Sequence, residues 1–369
     1  MISRRQMLGG GAALLASLGD AKAVQSATTL AGAAAEAGVL YGASIGQEAL
    51  GDPAYAELYR RETRILTTDV AMKFDWIRHS EGKFDFSFAD AIVEAARSNG
   101  KLLRGHTLIW NDRAPDWLKR LSGREVERVF DEHIDRVVER YAGKIHSWDV
   151  VNEPFWPMDG RSGGWRNGPW YAAMGPAYVE RAFRRVAAID KTARLTLNEA
   201  QCDNDHEWGR SIRPLFASLV DNLMERGAPL HAVGLQSHLQ PQWPANYPAF
   251  ADYLAGFGAK GLEINITEFD INDQSLPEDP LARDAAVAAV CAAFLGPVLQ
   301  VPAVTMVINW QLSDRYSWIG DVWRRMNPAS ARKPRPLPFD ESFRAKPMRD
   351  AMIACFAARR INDHKPRKT

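Results

Sequence analysis

The sequence predicts an α/β fold built as a single (β/α)8 TIM barrel. Three observations lead there: eight short apolar runs, amphipathic helical patterns between them, and no linker anywhere between residues 39 and 360. Apolar strands that alternate with helices describe a parallel sheet covered on both faces. An open, doubly wound sheet would show the same alternation. However, no G-x-G-x-x-G follows the first strand and no G-x-x-x-x-G-K-[ST] occurs, so the nucleotide-binding form of that alternative loses its main support. A closed barrel of this length as one domain is ordinary.

The elements follow in order. Residues 1–23 stand apart as an export signal. The run Ser3-Arg4-Arg5-Gln6-Met7-Leu8 carries twin arginines, a small apolar stretch follows, and Ala21-Lys22-Ala23 is an A-x-A cleavage pattern. The apolar stretch is about half the ~20 residues that a bilayer span requires. The chain is therefore expected to be exported, to the periplasm or beyond, with no stable membrane association, since no later apolar run looks long enough to span. Residues 24–38 form a lead-in segment. Strands are expected at 39–45, 64–68, 101–109, 145–151, 194–198, 232–237, 262–267 and 304–309. After the third strand, Ser122 and Glu125 make a capping box, and Val126, Val129, Phe130, Ile134, Val137, Val138 and Tyr141 then share one helical face. Helical patterns also cover 172–189, 208–226 and 281–299. The proline-rich, cationic stretch 328–338 reads as a loop after strand eight, 346–359 as a closing helix and 361–369 as a charged tail.

Composition narrows the function. The 46 Lys+Arg against 45 Asp+Glu give a net charge of +1, whereas a nucleic-acid-binding protein needs a clear cationic excess. No nucleic-acid partner is expected, and the protein is read as a monomer. Apolar residues at 46% and charged residues at 25% fit an ordinary globular chain. The 12 Trp against nine Tyr suggest a flat aromatic binding surface, because indole rings are costly to hide completely. Cys291 and Cys355 read as buried thiols acting as small hydrophobes, with a pairing left open.

In such a barrel, reactive groups sit at the C-terminal ends of strands. Strand three ends in RGHTLIW (104–110), strand four in WDVVNE (148–153), strand six in QSH (236–238), strand seven in TEFD (267–270) and strand eight in Asn309-Trp310. Two Glu, two His, an Asn, a Gln and two Trp thus converge on one rim. Two carboxylates with no nucleophilic Ser or Cys between them suit acetal hydrolysis, one protonating the leaving oxygen and the other attacking or activating water. His106 and His238 could ligate a metal, but there is no H-E-x-x-H or C-x-x-C, so neither a metal nor a cofactor is expected. Asp149 and Glu199 also lie near the rim, read as a supporting partner and a polar wall residue. Trp76, Trp117 and Trp148 read as packing, and Met72 as core.

At these residues the sequence resembles family 10 of the glycoside hydrolases, the retaining endo-β-1,4-xylanases. The likeness runs from about residue 40 to residue 351 and rests on RGHTLIW (104–110), WDVVNEPF (148–155), QSHL (236–239), ITEFD (266–270) and the spacing of Trp310, Asp314, Ser317 and Trp318. The resemblance implies that Glu153 is the general acid/base and Glu268 the nucleophile. Retention asks for carboxyls ~5–5.5 Å apart, with the acid kept protonated beside its negative neighbour. It also implies that His238 bonds Glu268 and is held by Asp270, that Asn152 meets the sugar 2-hydroxyl, and that Lys73, His106, Trp110 and Gln236 line the subsite under Trp310 and Trp318. The implied substrate is a β-1,4-linked polysaccharide of xylan type. Two alternatives stand beside it: a retaining hydrolase of another polysaccharide, uronate-containing or self-made, and a catalytically silent carbohydrate-binding barrel.

The chain departs from the family in one region. Where the family carries Glu-Asn before Met-Lys, this sequence has Asp69 and Val70, then Ala71. Where it shows His-Ser-Gln after the tryptophan, this one has Asn111, Asp112 and Arg113, and Gln311 replaces a Gly after Trp310. Val70 removes an amide that would bond the next glycone sugar, and Arg113 adds a positive fork suited to carboxylates. Asp69 and Arg113 are therefore expected in an altered glycone subsite that favours acidic or substituted chains. The plainer reading pairs Arg113 with Asp112 or Asp69.

Overall fold

The computed structural model describes residues 28–330 and 332–363. The expected export signal and the end of the charged tail lie outside the described residues. Helix α1 (Leu30–Glu36) comes first, capped by Thr29, whose hydroxyl accepts from the Gly32 amide. The barrel follows. Its strands are β1 (Leu40–Ile45), β2 (Ile65–Thr68), β3 (Leu102–Gly105), β4 (Ile109–Trp110), β5 (Ser147–Asn152), β6 (Arg194–Glu199), β7 (Ala232–Leu235), β8 (His238–Leu239), β9 (Glu263–Ile271) and β10 (Val304–Asn309). All pair in parallel, in the order β10-β1-β2-β3-β5-β6-β7-β9, and β10 pairs with β9 to close the ring. β4 and β8 are two-residue continuations of the third and sixth barrel positions, pairing with β5 and β9. The strands are buried almost throughout because helices cover the ring from outside.

The helices that position the site are α2 (Gln47–Gly51), α3 (Pro53–Glu62), α4 (Phe74–Ile77), α5 (Ser87–Ser98), α6 (Gly123–Tyr141), α7 (Pro169–Met174), α8 (Ala177–Ile189), α9 (Glu207–Glu225), α10 (Tyr247–Ala259), α11 (Pro280–Val298), α12 (Trp318–Met326) and α13 (Pro347–Asp363). α6 starts on its capping box, with the Ser122 amide donating to the Glu125 carboxylate at 2.7 Å. Its seven expected face residues are all buried.

The structure departs from expectation in several places. Strand three is not continuous over 101–109: it stops at Gly105 and resumes at Ile109, and His106 occupies the break. The helix expected over 172–189 divides at Gly175 (φ +58°) and Pro176 into α7 and α8, since that backbone cannot continue a helix. The closing helix runs on to Asp363, into what reads as tail. Finally, α11 is long and apolar enough to cross a membrane by length and composition, contrary to expectation. It nevertheless buries Arg283 and Asp284 along with Val287, Cys291, Phe294, Leu295 and Val298, and packs against α10 and α13.

One glycine is fixed by packing. A Cβ on Gly105 would fall 2.2 Å from the ring of Trp148, which is fully buried in the core. Only a hydrogen fits there. Met72 and Trp117 are also core, whereas Trp76, expected to pack, is 45% exposed and touches Phe88 at its edge. Cys202 and Cys291 are buried, Cys355 is partly buried, and all three are free thiols.

Candidate active site

The strand ends deliver the site. β5 ends in Asn152, and Glu153 follows in left-handed backbone at φ +48°. Ser237 (φ +60°) and Gln311 (φ +72°) share that conformation where β7 and β10 leave the ring. Such backbone costs of order 1–3 kcal/mol per non-glycine residue and persists only where its surroundings over-determine it. Here they do: the Glu153 amide donates to the Asn198 carbonyl and the Glu268 amide to that of Gln236, each at 2.9 Å.

An amide relay connects the two carboxyls. Gln236 Nε2 donates to Glu153 Oε1 at 2.7 Å and Asn152 Nδ2 to the same oxygen at 3.2 Å. Asn198 Nδ2 donates both to Asn152 Oδ1 (2.8 Å) and to Glu268 Oε1 (2.9 Å), while Thr267 Oγ1 donates to Asn198 Oδ1 at 2.7 Å. Asn198 is wholly buried at the end of β6. Asn198 is the last residue of the expected strand five (194–198), so the rule that marks polar residues at strand ends points to it as well.

Around Glu268 the charges are paired. His238 faces Glu268 Oε2 through Nε2 at 3.2 Å and Asp270 Oδ1 through Nδ1 at 2.9 Å, and the Trp318 indole donates to Asp270 Oδ2 at 2.7 Å. Burial opposes a charge on His238, but Asp270 and then Glu268 raise it to about 10. Burial would likewise raise Glu268. The bond from His238 and the fields of His106, His238 and Lys73 overcome it and hold the carboxyl at about 2. Glu268 is thus an ionised carboxylate at neutral pH, locked by an imidazolium.

The floor is aromatic and cationic. Lys73 Nζ lies over the rings of Trp110 (5.2 Å) and Trp310 (5.6 Å). Burial lowers its proton affinity, opposed chiefly by Asp69 and Glu268. His106 sits edge-on to Trp310 and bonds Asp149 at 3.0 Å; Asp149 also takes the buried Arg104, as expected of a supporting partner. Trp310 is only 5% exposed, so it forms an inner wall, while Trp318 is 37% exposed at the mouth. Glu199 is fully enclosed and accepts from the Ala200 and Phe155 amides. Burial, and then Glu153 beside it, pushes its carboxyl well above the usual range.

Three further residues complete the rim, of which Arg166 alone lies outside the sequence expectations. Arg166, from the loop after β5, donates to Glu153 Oε2 at 2.7 Å. Arg113 pairs with neither Asp112 nor Asp69, as the plainer reading had it, but with Asp75 at 2.7 Å, because α4 brings that carboxylate under its fork. Gln311 donates to Asp69 at 3.2 Å. The loop carrying Arg166 has no periodicity, so no sequence signal marked it. Among the described residues, no group of three or more His, Cys, Asp or Glu is arranged to hold a metal ion.

The model of glycosyl hydrolase family 10 matches residues 29–355. A β-1,4-xylanase of Dictyoglomus thermophilum is 32% identical over 302 residues, covering 79% of this chain and 82% of that protein. Endo-1,4-β-xylanase B of Thermotoga neapolitana is 30% identical, covering 79% and 80%. The crystal structure of xylanase 10B from Thermotoga petrophila with xylobiose superposes with a TM-score of 0.79 at 28% identity, covering 90% of this chain and 98% of that one.

Proposed function

The chain belongs to glycosyl hydrolase family 10, and from that premise we propose that it is a retaining endo-β-1,4-xylanase using Glu268 as nucleophile and Glu153 as acid/base. The observation that carries the reading is the contrast between the two carboxyls. Glu268 is held ionised by His238, while Glu153 sits across the Asn152–Asn198 relay with one oxygen on neutral amides and the other on Arg166, a cation that it shares with Asp112. In the first step Glu268 attacks the anomeric carbon as Glu153 protonates the departing oxygen. In the second, Glu153 takes a proton from water, which displaces Glu268 with net retention. Asn152, Lys73, His106, Trp110 and Gln236 hold the sugar between them, with Trp310 as inner wall and Trp318 over the mouth.

The glycone side is altered. Val70 offers no amide, Gln311 is bonded to Asp69, and the Arg113 fork, a third exposed, is shared with Asp75. The carbonyl oxygen of Gln311 and the indole N–H of Trp110 are buried without a hydrogen-bond partner among the described residues. This subsite favours acidic or substituted chains through the part-exposed Arg113 fork. Residues 1–23 carry the enzyme out of the cytoplasm by the twin-arginine route, and it works as a monomer.

Release of reducing ends from xylan is the primary test. Glu268→Gln is expected to abolish turnover while keeping affinity for xylo-oligosaccharides. Glu153→Ala is expected to spare substrates with very good leaving groups, which need no proton in the first step. Equal loss on all leaving groups would remove Glu153 from its role. Turnover of neutral against uronate-decorated oligosaccharides, in wild type and Arg113→Ala, tests the glycone side: an unchanged ratio excludes Arg113.

A further inference from the structure

We propose that Asp112 is a positioning residue that sets how readily Glu153 holds its proton, acting through Arg166. This rests on the reading of Glu153 as acid/base. Arg166 is only 5% exposed and is fixed from three sides: Nε donates to the Glu153 carbonyl (2.9 Å), Nη2 to Glu153 Oε2 (2.7 Å) and Nη1 to Asp112 Oδ2 (2.5 Å). Its guanidinium lies over the Trp156 ring, 5.0 Å from the centroid. One nearly buried cation is therefore shared between the acid/base and a rim carboxylate. Asp112 has no other polar partner among the described residues, and it stands where the resembled family has an uncharged Ser.

Charge bookkeeping shows the consequence. A general acid works best when it holds its proton near the operating pH, and an unshared guanidinium on Glu153 would hold it ionised instead. With Asp112 in place, protonated Glu153 leaves Arg166 still neutralised. With Asp112 uncharged, protonating Glu153 would strand a nearly buried, unpaired cation. No other group facing the pair substitutes. Burial raises the Glu199 carboxyl behind them and the Tyr178 hydroxyl beside Arg166, which disfavours a negative charge on either, and Lys73 across the cleft has no anionic form to offer. Gln236 and Asn152 are uncharged amides, while Glu268 is neutralised by His238. Asp112 is about half exposed, so its own charge carries little desolvation cost.

The test is the pH dependence of kcat/KM in Asp112→Asn on two substrates: xylotetraose, whose leaving group needs a proton, and a dinitrophenyl xylobioside, whose leaving group does not. On xylotetraose the alkaline limb is expected to move about one pH unit lower, with an approximately tenfold fall at pH 7, equivalent to about 1.4 kcal/mol. The fall on the aryl glycoside should be much smaller, and Asp112→Glu should restore the limb. An unmoved limb, or an equal loss on both substrates at every pH, would overturn the proposal. The same substrates in Glu153→Ala separate the two ideas: if that variant shows no leaving-group dependence, the acid/base assignment fails, and the link to Asp112 is not what was at fault.

Discussion

Replacing His238 by Gln tests the charge balance around Glu268, the proposed nucleophile. The side chain keeps a neutral donor of similar reach but loses its charge and cannot bond Glu268 and Asp270 together. The gap between the ordinary 4.5 and about 2 at Glu268 is worth roughly 3 kcal/mol, at about 1.4 kcal/mol per tenfold in proton affinity. Asn198, Lys73 and His106 remain in the variant, so about half of that should be lost. The acid limb of kcat/KM on xylotetraose should then rise by about one pH unit. The plateau should fall about 10- to 100-fold, as expected when a bond to a charged group is lost. Stability gives a second readout. His238 is raised from 6.5 to about 10 in the fold, so its contribution is fully present below pH 6.5 and is lost as pH rises toward 10. Urea unfolding should therefore show wild type leading the variant by more at pH 6 than at pH 9. An acid limb that stays in place, or a lead that grows with pH, would refute the imidazolium lock.

Other outcomes follow from single contacts. Asn198→Ala removes the donor shared by Glu268 and Asn152, and kcat/KM should fall about 10- to 100-fold with the fold intact by circular dichroism. Trp318→Phe keeps a ring at the mouth but deletes the N–H bonded to Asp270, and kinetics on xylotetraose should show about a tenfold loss in kcat/KM. Gly105→Ala forces a methyl against Trp148 and should cost about 1–3 kcal/mol in thermal or urea unfolding.

Much of this architecture is written in the pattern of the chain. Parallel strands buried on both faces leave unbroken apolar runs, which is why all eight barrel positions were visible and why Glu153, Glu268, His238 and Asp270 could be placed at strand ends. The break in strand three was hidden because Leu108 and Ile109 continue the apolar run although the chain leaves the ladder at His106. The division at Gly175–Pro176 was masked by helical periodicity on both sides. Arg113 shows a different limit. Asp112 beside it in sequence and Asp69 after strand two looked like the natural partners, but α4 presents Asp75 instead, and Asp112 turns to Arg166. Which cation meets which anion is decided by how separate loops cross, and no local spacing encodes that.

The first and last helices of the described chain are neighbours. α1 packs on α13, the Leu30 amide and Arg349 both bond the buried Glu62, and β1 finds one of its two ladder partners in β10. A nascent polypeptide leaving the ribosome would carry an open seam beside β1 until β10 arrives, and α1 would wait longer still for its partner. Ring closure thus becomes a late event of synthesis, and shortening either end would loosen the same join.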